Sequence, residues 1–195
     1  KTELGAIYSF FTPTYGIGQI PSGIFCDWIG PHLFLGVIIV LWSLVMPLYG
    51  VAGGRPGLIA LRLVFGAAQA GTYPSLSKVT ATWFPVKTRT IVQGWVATFF
   101  GRSGGAMSSI ILATVLIGYF EMSWQWALVV MGAAGVLFGI VFLVLFRNSP
   151  DEDPRVNDAE RALIAEGSPP PDPSAPPVLP LRVAIRNRSM LFFVI

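Results

Sequence analysis

Long apolar stretches without charge alternate with short polar connections along this chain. No Lys, Arg, Asp or Glu occurs over residues 4–26, 28–54 or 122–146, and Arg102 is the only charged residue over 90–120. Each stretch exceeds the roughly 20 residues that an α-helix needs to cross about 30 Å of hydrocarbon. The pattern therefore predicts an all-α membrane protein. The predicted spans cover about 5–26, 33–53, 58–84, 91–118 and 124–146.

The segment after the fifth span differs in kind. Residues 1–147 are predicted to form one transmembrane bundle and residues 148–188 a cytoplasmic, Pro-rich linker. Such a segment buries too little apolar surface to form a core, so we expect it to be extended or mobile, apart from a short helix near 158–166. Residues 189–195 are predicted to begin another span, and the chain is expected to be a fragment of a longer protein.

Charge supports the membrane assignment and orients the spans. Only 12% of the residues are charged and 53% are hydrophobic, whereas soluble domains carry about 25% charged residues. The connections on one side hold Lys87, Arg89 and Arg147, and the opposite side holds Lys1 and Arg55. The side rich in Lys and Arg should be cytoplasmic. We expect a multi-pass protein of the bacterial inner, or plasma, membrane, surrounded by lipid.

The composition excludes several functions. Cys26 and His32 are the only residues of their types, so the chain predicts no internal disulfide and no Cys or His cluster for a metal. His32, in a predicted surface turn, is expected to be solvated. No nucleophile has a base beside it, which argues against an enzyme. No cofactor and no nucleic-acid partner are predicted.

Two arginines are the strongest candidates for function, because a charge at the centre of a membrane helix costs about 2.5–3.5 kcal/mol. Arg102 lies thirteen residues after Arg89, about 20 Å along a helix, and therefore near the bilayer centre. It either binds an anion or pairs with an acid outside this chain. Arg62 either faces the bundle interior or extends to the outer surface. Lys78, near a helix end, is expected to reach the cytoplasmic surface.

Neutral polar residues accompany these cations. Gly66, Gln69 and Tyr73 follow Arg62 at intervals that place all four on one helix face, which predicts a polar stripe directed into the bundle. Tyr15 and Gln19 lie one turn apart on the first span and either bind a polar ligand or contact neighbouring side chains. Small-residue pairs at Gly101/Gly105 and Gly135/Gly139 predict close helix packing or helix motion.

The predicted membrane interior thus holds cations and neutral donors but no carboxylate. By Coulomb attraction this arrangement favours a negatively charged ligand.

Specific motifs resemble the major facilitator superfamily. The turn Gly23-xxx-Asp27-Trp28-x-Gly30 resembles the loop between its second and third helices, and Arg62-xxx-Gly66 resembles its fourth-helix motif. The stretches at 15–23, 66–74, 83–89 and 160–167 are similar to the anion:cation symporter branch, which includes bacterial sugar-acid transporters and vesicular organic-anion carriers. On this resemblance the spans are helices two to six of twelve, most of an N-terminal six-helix bundle.

The resemblance implies a secondary transporter that works by alternating access and carries a small organic anion. Members of this branch can couple transport to a proton or another cation. The resemblance also implies that Arg62 and Tyr15 lie near the substrate. Arg102 joins these candidate substrate-binding residues because of its depth in the membrane. Gln19, Gln69 and Tyr73 join them because they are polar positions in apolar spans. The residues implied in gating are Asp27, Gly23, Gly30 and Arg89.

Three departures from the family pattern qualify these expectations. Trp28 replaces the usual Arg after Asp27, which suggests a different cytoplasmic latch. Gln69 stands where many relatives have a Glu that takes up the coupling proton, and Gln does not titrate. The fourth visible span, the fifth helix of the family, lacks the Gly-Pro motif of drug/proton antiporters. A drug or metabolite exporter and a transporter-like solute sensor remain the alternatives.

Overall fold

A computed structural model describes residues 2–167, and all regular secondary structure in this range is helical. The α-helices are α1 (Thr2–Ser9), α2 (Phe11–Ile29), α3 (Pro31–Leu48), α4 (Gly54–Gln69), α5 (Thr72–Trp83), α6 (Val86–Gly94), α7 (Gly101–Ile110), α8 (Trp124–Leu145) and α9 (Asp158–Ala165). Wider π turns, Trp95–Phe100 and Ile111–Tyr119, join α6 to α7 and extend α7. Short 3-10 turns follow α3 and precede α9, at Tyr49–Val51 and Pro150–Glu152. The predicted span at 189–195 lies outside the described residues.

Three of the predicted spans form continuous helices that are long and apolar enough to cross a membrane: Pro31–Val51, Val86–Tyr119 and Trp124–Leu145. The other two are each divided into shorter helices. The first consists of α1 and α2, and the third consists of α4 and α5, separated at Ala70 and Gly71. The all-α membrane fold is therefore as predicted, although two spans are interrupted.

Three helices begin earlier along the chain than the hydrophobic pattern indicates, at Pro31, Gly54 and Val86. Their first turns contain polar residues, Pro or Gly, which the pattern assigns to connections. These residues are tolerated there because the first N–H groups of a helix have no intrahelical partner. Pro31, at the first position of α3, lacks such an N–H and already has a helical φ.

Among the described elements, α3 and α8 share the most extensive helix contact, and the glycines of α8 make their close approach possible. A Cβ on Gly132 would lie 2.7 Å from the Ser43 carbonyl oxygen, and one on Gly139 would lie 2.8 Å from Val40 Cγ2. Gly135 faces the Ser43 side chain, whose hydroxyl donates to the Ile39 carbonyl at 2.7 Å. The predicted close packing at Gly135 and Gly139 is confirmed. In lipid, such contacts gain van der Waals energy without a hydrophobic drive.

The second glycine pair behaves differently. Within the described range, no atom lies within 4 Å of the position that a Cβ on Gly105 would take. Among the described residues Gly105 packs against no neighbouring helix, so close packing at this position stays a prediction. Gly101 has a different role, described with the candidate site below.

The first part of the linker is docked on the bundle, contrary to the prediction of an extended segment. The Asn148 side chain accepts the backbone N–H of His32 at 2.9 Å and thereby caps the start of α3. Gly30 between α2 and α3 has a φ of 87°, and a Cβ there would lie 2.6 Å from the Asn148 side-chain oxygen. Glycine is suited to this position because it accepts a positive φ and leaves room for the cap.

His32 also has a partner, so the expectation that it is solvated is wrong. Its Nε2 lies 2.7 Å from the carbonyl oxygen of Leu143 in the last turn of α8. That carbonyl can only accept, so Nε2 carries a proton in this arrangement. The end of α8 is thus joined to the start of α3.

Arginines satisfy the remaining free carbonyls at the end of α8. Arg147 donates to the Val144 carbonyl at 2.9 Å, and Arg155 donates to the Leu145 carbonyl. Cations at a helix C-terminus are favoured by its partial negative charge. The sequence placed Arg147 at the end of the bundle and Arg155 in the linker, and the partners of both became visible only in the fold.

Arg155 is itself held by a buried carboxylate. It forms an ion pair with Asp153 at 2.6 Å, and its side-chain and backbone hydrogen bonds lower the pKa of that carboxyl to about 2. A depressed pKa means that this pair stabilises the fold above pH 4 and that the contribution is lost as the pH falls towards 2. The linker contact with α8 is therefore fully formed at neutral pH. Lys87 and Glu166 form a further, exposed ion pair at 2.6 Å between α6 and the end of α9.

Candidate functional site

A cavity of about 480 Å³ lies between the first, second, third and fourth spans. It contains three of the predicted site residues: Tyr15 on α2, Gln69 at the end of α4 and Tyr73 on α5. Its full lining is Tyr15, Trp42, Gln69, Thr72, Tyr73, Leu76, Val96, Phe100 and Gly101. The cavity is therefore largely aromatic and apolar, with a few neutral polar groups, as is typical of sites for small molecules.

The interruption between α4 and α5 forms one wall of this cavity. The Thr72 hydroxyl donates to the Gln69 carbonyl at 2.8 Å, which satisfies one of the carbonyls left free where α4 ends. Gly71, in the interruption, lies against Phe34 of α3, and a Cβ there would lie 2.4 Å from the ring. Gln69 and Tyr73, which lie on either side of this interruption, both line the cavity.

Gly101 forms the opposite wall. A Cβ at this position would lie 3.5 Å from the Tyr73 hydroxyl and 3.3 Å from the Val96 carbonyl oxygen. The space beside Gly101 is therefore part of the cavity, and any larger side chain would extend into it or against its lining.

The Tyr15 side chain is held by a neighbouring residue of its own helix, α2. Its ring stacks on Phe11 with centroids 5.2 Å apart, and the Gln19 side chain lies beside its hydroxyl. Gln19 is not among the residues that line the cavity, and its predicted part in the site stays a prediction.

Arg62 does not line the cavity. Its guanidinium lies over the Tyr8 ring at 4.1 Å and over the Tyr49 ring at 5.4 Å. Gly66, one turn along α4, packs against α2, where a Cβ would lie 2.3 Å from Thr14 Oγ1. Of the polar stripe predicted from Arg62 to Tyr73, Gln69 and Tyr73 line the cavity, whereas Arg62 and Gly66 contact neighbouring spans of the bundle. The predicted part of Arg62 in substrate binding stays a prediction.

Arg102 lies on α7, next to the cavity-lining Gly101, and is itself exposed. Among residues 2–167 the structure gives it no hydrogen bond and no ion pair. Its predicted part in the site stays a prediction.

The end of the bundle that carries the linker contains the predicted gating residues. Lys78 of α5 forms an ion pair with Asp27 at 2.9 Å and donates to the Cys26 carbonyl at 3.2 Å. Lys78 thus joins α5 to α2 instead of simply extending to the surface. Because both side chains are more than a third exposed, an ion pair of this kind contributes only about 0–1 kcal/mol. A contact of that strength can form and break readily.

The other gating candidates occupy neighbouring positions. Gly23 faces Pro74 of α5, at 3.9 Å from the position of a Cβ, and Gly30 adjoins the Asn148 cap. The Arg89 side chain donates to the Phe84 carbonyl at 2.9 Å and so spans the connection between α5 and α6. All four candidates therefore lie at the end of the bundle that carries the linker.

Sequence reasoning missed Trp42, Thr72 and Phe100 as cavity residues. Trp42 and Phe100 lie in apolar stretches whose pattern does not separate lipid-facing from cavity-facing positions. A helix surrounded by lipid and protein is apolar on every side, so its hydrophobic pattern does not show which side faces the cavity.

These features define a class of protein: a helical integral membrane protein whose bundle contains a largely apolar cavity with a few neutral polar groups. The chain belongs to the Major Facilitator Superfamily, whose sequence profile matches residues 1–195. The members of this family are transporters and not enzymes. The chain is therefore part of a multi-pass protein of the plasma membrane.

Individual relatives agree with this assignment. The chain is 31% identical over 159 residues to the probable sulfoacetate transporter of Cupriavidus necator, covering 82% of the chain and 36% of the relative. It is 32% identical over 175 residues to the probable galactarate/D-glucarate transporter of Bacillus subtilis, covering 86% and 37%. It is 30% identical over 177 residues to the D-galactonate transporter of Escherichia coli, covering 90% and 40%. The chain therefore spans well under half the length of these relatives.

Proposed function

We propose that the protein carrying this chain is a secondary active transporter of a small organic anion, a carboxylate or sugar acid, and that it works by alternating access. The observation that carries the proposal is the cavity with Tyr15, Gln69 and Tyr73, in a bundle whose spans contain cations but no carboxylate. Neutral donors hydrogen-bond hydroxyl groups, while arginine in a membrane attracts an acid group.

The named relatives support the same substrate class. They are described as transporters of sulfoacetate, of galactarate and D-glucarate, of D-galactonate and of hexuronate. Each of these compounds carries an acid group that is ionised at neutral pH. Most also carry several hydroxyl groups, which suits a cavity that combines aromatic walls with an amide and tyrosine hydroxyls.

For alternating access, we assign the rearrangement to the cytoplasmic end of the bundle. The exposed pair between Asp27 and Lys78 is weak enough to break when this end changes shape. Gly23 and Gly30 lie beside it, and Arg89 spans the next connection. These residues make the bundle's cytoplasmic contacts adjustable while α3 and α8 remain closely packed.

Uptake by the full-length protein in proteoliposomes tests this function. We expect saturable uptake of labelled galactonate and little uptake of galactose, a neutral sugar of similar size. Arg62→Gln and Arg102→Gln should each reduce galactonate uptake about tenfold or more, because a hydrogen bond to a charged group contributes about 1.5–3 kcal/mol.

Lys87→Gln provides the control for loss of a cation, because Lys87 is paired with Glu166 at the linker end of the bundle, away from the cavity. Uptake that is equal for the acid and the neutral sugar would contradict the proposal, as would full activity in both arginine variants. Efflux of cationic compounds would instead identify an exporter. Binding without transport would identify a sensor.

Proton coupling can be tested at Gln69. Since glutamine has no ionisable group, Gln69 cannot take up a coupling proton, and we expect transport by the native protein to depend weakly on pH. Gln69→Glu places a titratable carboxyl in the cavity, where burial favours its neutral form. That variant should transport several times faster at pH 5.5 than at pH 7.5.

Gln125→Glu is the matched control, because Gln125 is exposed in the first turn of α8. It should leave the pH profile unchanged. An identical profile for Gln69→Glu and the native protein would exclude this role for position 69.

A further inference from the structure

Residues 148–167, which we call the strap, are attached to the bundle at both of their ends. At the beginning of the strap, the Asn148 side chain accepts the backbone N–H of His32 at 2.9 Å. At its end, Glu166 forms an ion pair with Lys87 at 2.6 Å. The strap therefore connects the start of α3 to the first turn of α6.

The first attachment is built into the fold. Pro150 and Asp153 are buried there, and Asp153 holds Arg155 in an ion pair at 2.6 Å. Arg155 in turn donates to the Leu145 carbonyl at the end of α8. Buried, hydrogen-bonded groups of this kind are costly to separate, because each would lose its partner. The beginning of the strap is thus fixed to α3 and α8, which pack closely on each other.

The second attachment consists of exposed contacts. The side chains of Lys87 and Glu166 are 77% and 52% exposed, and water screens ion pairs of this kind so strongly that they contribute little to stability. The strap ends on Gly167, where a Cβ would lie 3.6 Å from the Cβ of Val86, an ordinary van der Waals distance. Water can replace both contacts, so this end can leave α6 and return to it.

A cavity of about 330 Å³ separates the strap from the bundle between the two attachments. Thr82 and Arg89 line it on the bundle side, and Asp151, Arg161 and Ile164 line it on the strap side. One water molecule occupies about 30 Å³ in the liquid, so this space is large enough for several. The strap is therefore not close-packed against the bundle along its length.

Internal bonds keep α9, the helix of the strap, folded in either position. The Asn157 side chain accepts the Glu160 N–H at 2.8 Å, and the Glu160 side chain accepts the Asn157 N–H at 3.2 Å. This capping box involves no residue of the bundle. At the other side of the contact, Lys87 lies nine residues before the cavity-lining Val96, about 14 Å along the same span. A contact at Lys87 can therefore restrain a wall of the substrate cavity.

Resting on the proposed function, we propose that the strap controls the movement of the fourth span during transport. Its end at Glu166 and Gly167 holds α6 in the arrangement seen here and releases it when the bundle changes shape. Its beginning stays on α3 and α8 throughout. The weak attachment is thus the one that opens, and the buried attachment is the point about which the strap turns.

A reversible cross-link at the weak attachment tests this role. Val86→Cys combined with Gly167→Cys would place two Cβ atoms 3.6 Å apart, within the range of about 3.5–4.5 Å that a disulfide needs. In the full-length protein, with other accessible cysteines replaced by serine, oxidation by copper phenanthroline should lower the maximal rate of labelled galactonate uptake tenfold or more. Dithiothreitol should restore it. The reduced pair controls for the replacement of Gly167, whose φ is 78°.

A second cross-link provides the matched control. A Cβ on Gly50, in the turn after α3, would lie 3.2 Å from the Cβ of Gln125 on α8. Because α3 and α8 stay together, oxidation of Gly50→Cys combined with Gln125→Cys should leave uptake unchanged. Lys87→Gln should keep uptake within about twofold of native, since it removes a screened ion pair and locks nothing.

Native uptake after complete cross-linking of positions 86 and 167, verified by the loss of free thiols, would overturn the role of the strap alone. Failure of this pair to cross-link, or an equal loss of uptake in both oxidised pairs, would do the same. Absence of galactonate uptake in the native protein would overturn the proposed function. Spin labels at Thr88→Cys on α6 and Ala162→Cys on α9 then decide about the strap: two distances are expected, and a single distance would overturn it.

Discussion

Replacing Gly101 by Leu is expected to reduce substrate uptake by about ten- to a hundredfold while leaving the bundle folded. Even a Cβ at this position lies 3.5 Å from the Tyr73 hydroxyl and 3.3 Å from the Val96 carbonyl oxygen. The rest of a leucine side chain must therefore enter the cavity or displace its lining. Overpacking costs about 1–3 kcal/mol, and each 1.4 kcal/mol of binding energy corresponds to a factor of ten. Initial rates of galactonate uptake measure the effect.

The matched control lies on the same helix. Gly104 has no atom within 4 Å of its Cβ position in the described structure. Gly104→Leu therefore adds the same side chain to α7 without filling the cavity and should retain most of the activity. Equal uptake by Gly101→Leu and the native protein would show that the substrate does not use the space beside Gly101.

Replacing Gly132 by Ala should destabilise the protein by about 1–3 kcal/mol. The new Cβ would lie 2.7 Å from the Ser43 carbonyl oxygen and 2.9 Å from the Pro47 ring. Neither atom can rotate away, since one belongs to the backbone of α3 and the other to a proline ring. The two helices must separate, and this loses contacts along their whole interface.

Thermal unfolding of the purified full-length protein in detergent, followed by tryptophan fluorescence, measures this effect. Gly105→Ala is the control, because Gly105 has open space around its Cβ position and alanine favours a helix more than glycine does. Its Tm should be unchanged or slightly higher. A Tm for Gly132→Ala equal to that of Gly105→Ala would contradict the rigid packing of α3 on α8.

Charge and hydrophobicity predicted the membrane class because both act over whole helices. A helix in hydrocarbon must be long and apolar, and a lysine or arginine at its end marks the cytoplasmic side. These constraints need no knowledge of neighbours. The same reasoning identified Tyr15, Gln69 and Tyr73 as polar positions in apolar helices, and the structure places all three on one cavity.

Reasoning along a single helix was less successful for Arg62. Helical spacing places Arg62 on one face of α4 with Gly66 and Gln69, but it does not show which neighbouring elements meet that face at each level of the bundle. Arg62 is instead held by Tyr8 and Tyr49, which are distant in sequence.

By itself, the sequence determined the helical membrane class and the polar residues available to a site, while the orientation of the spans stays a prediction. Tertiary structure alone decided that Trp42 faces the cavity and that Asn148 and His32 join the linker end to α3 and α8. The physical reason is that an apolar side chain in a membrane helix is equally compatible with lipid and protein. Its direction is therefore set by packing between helices and not by its own hydrophobicity.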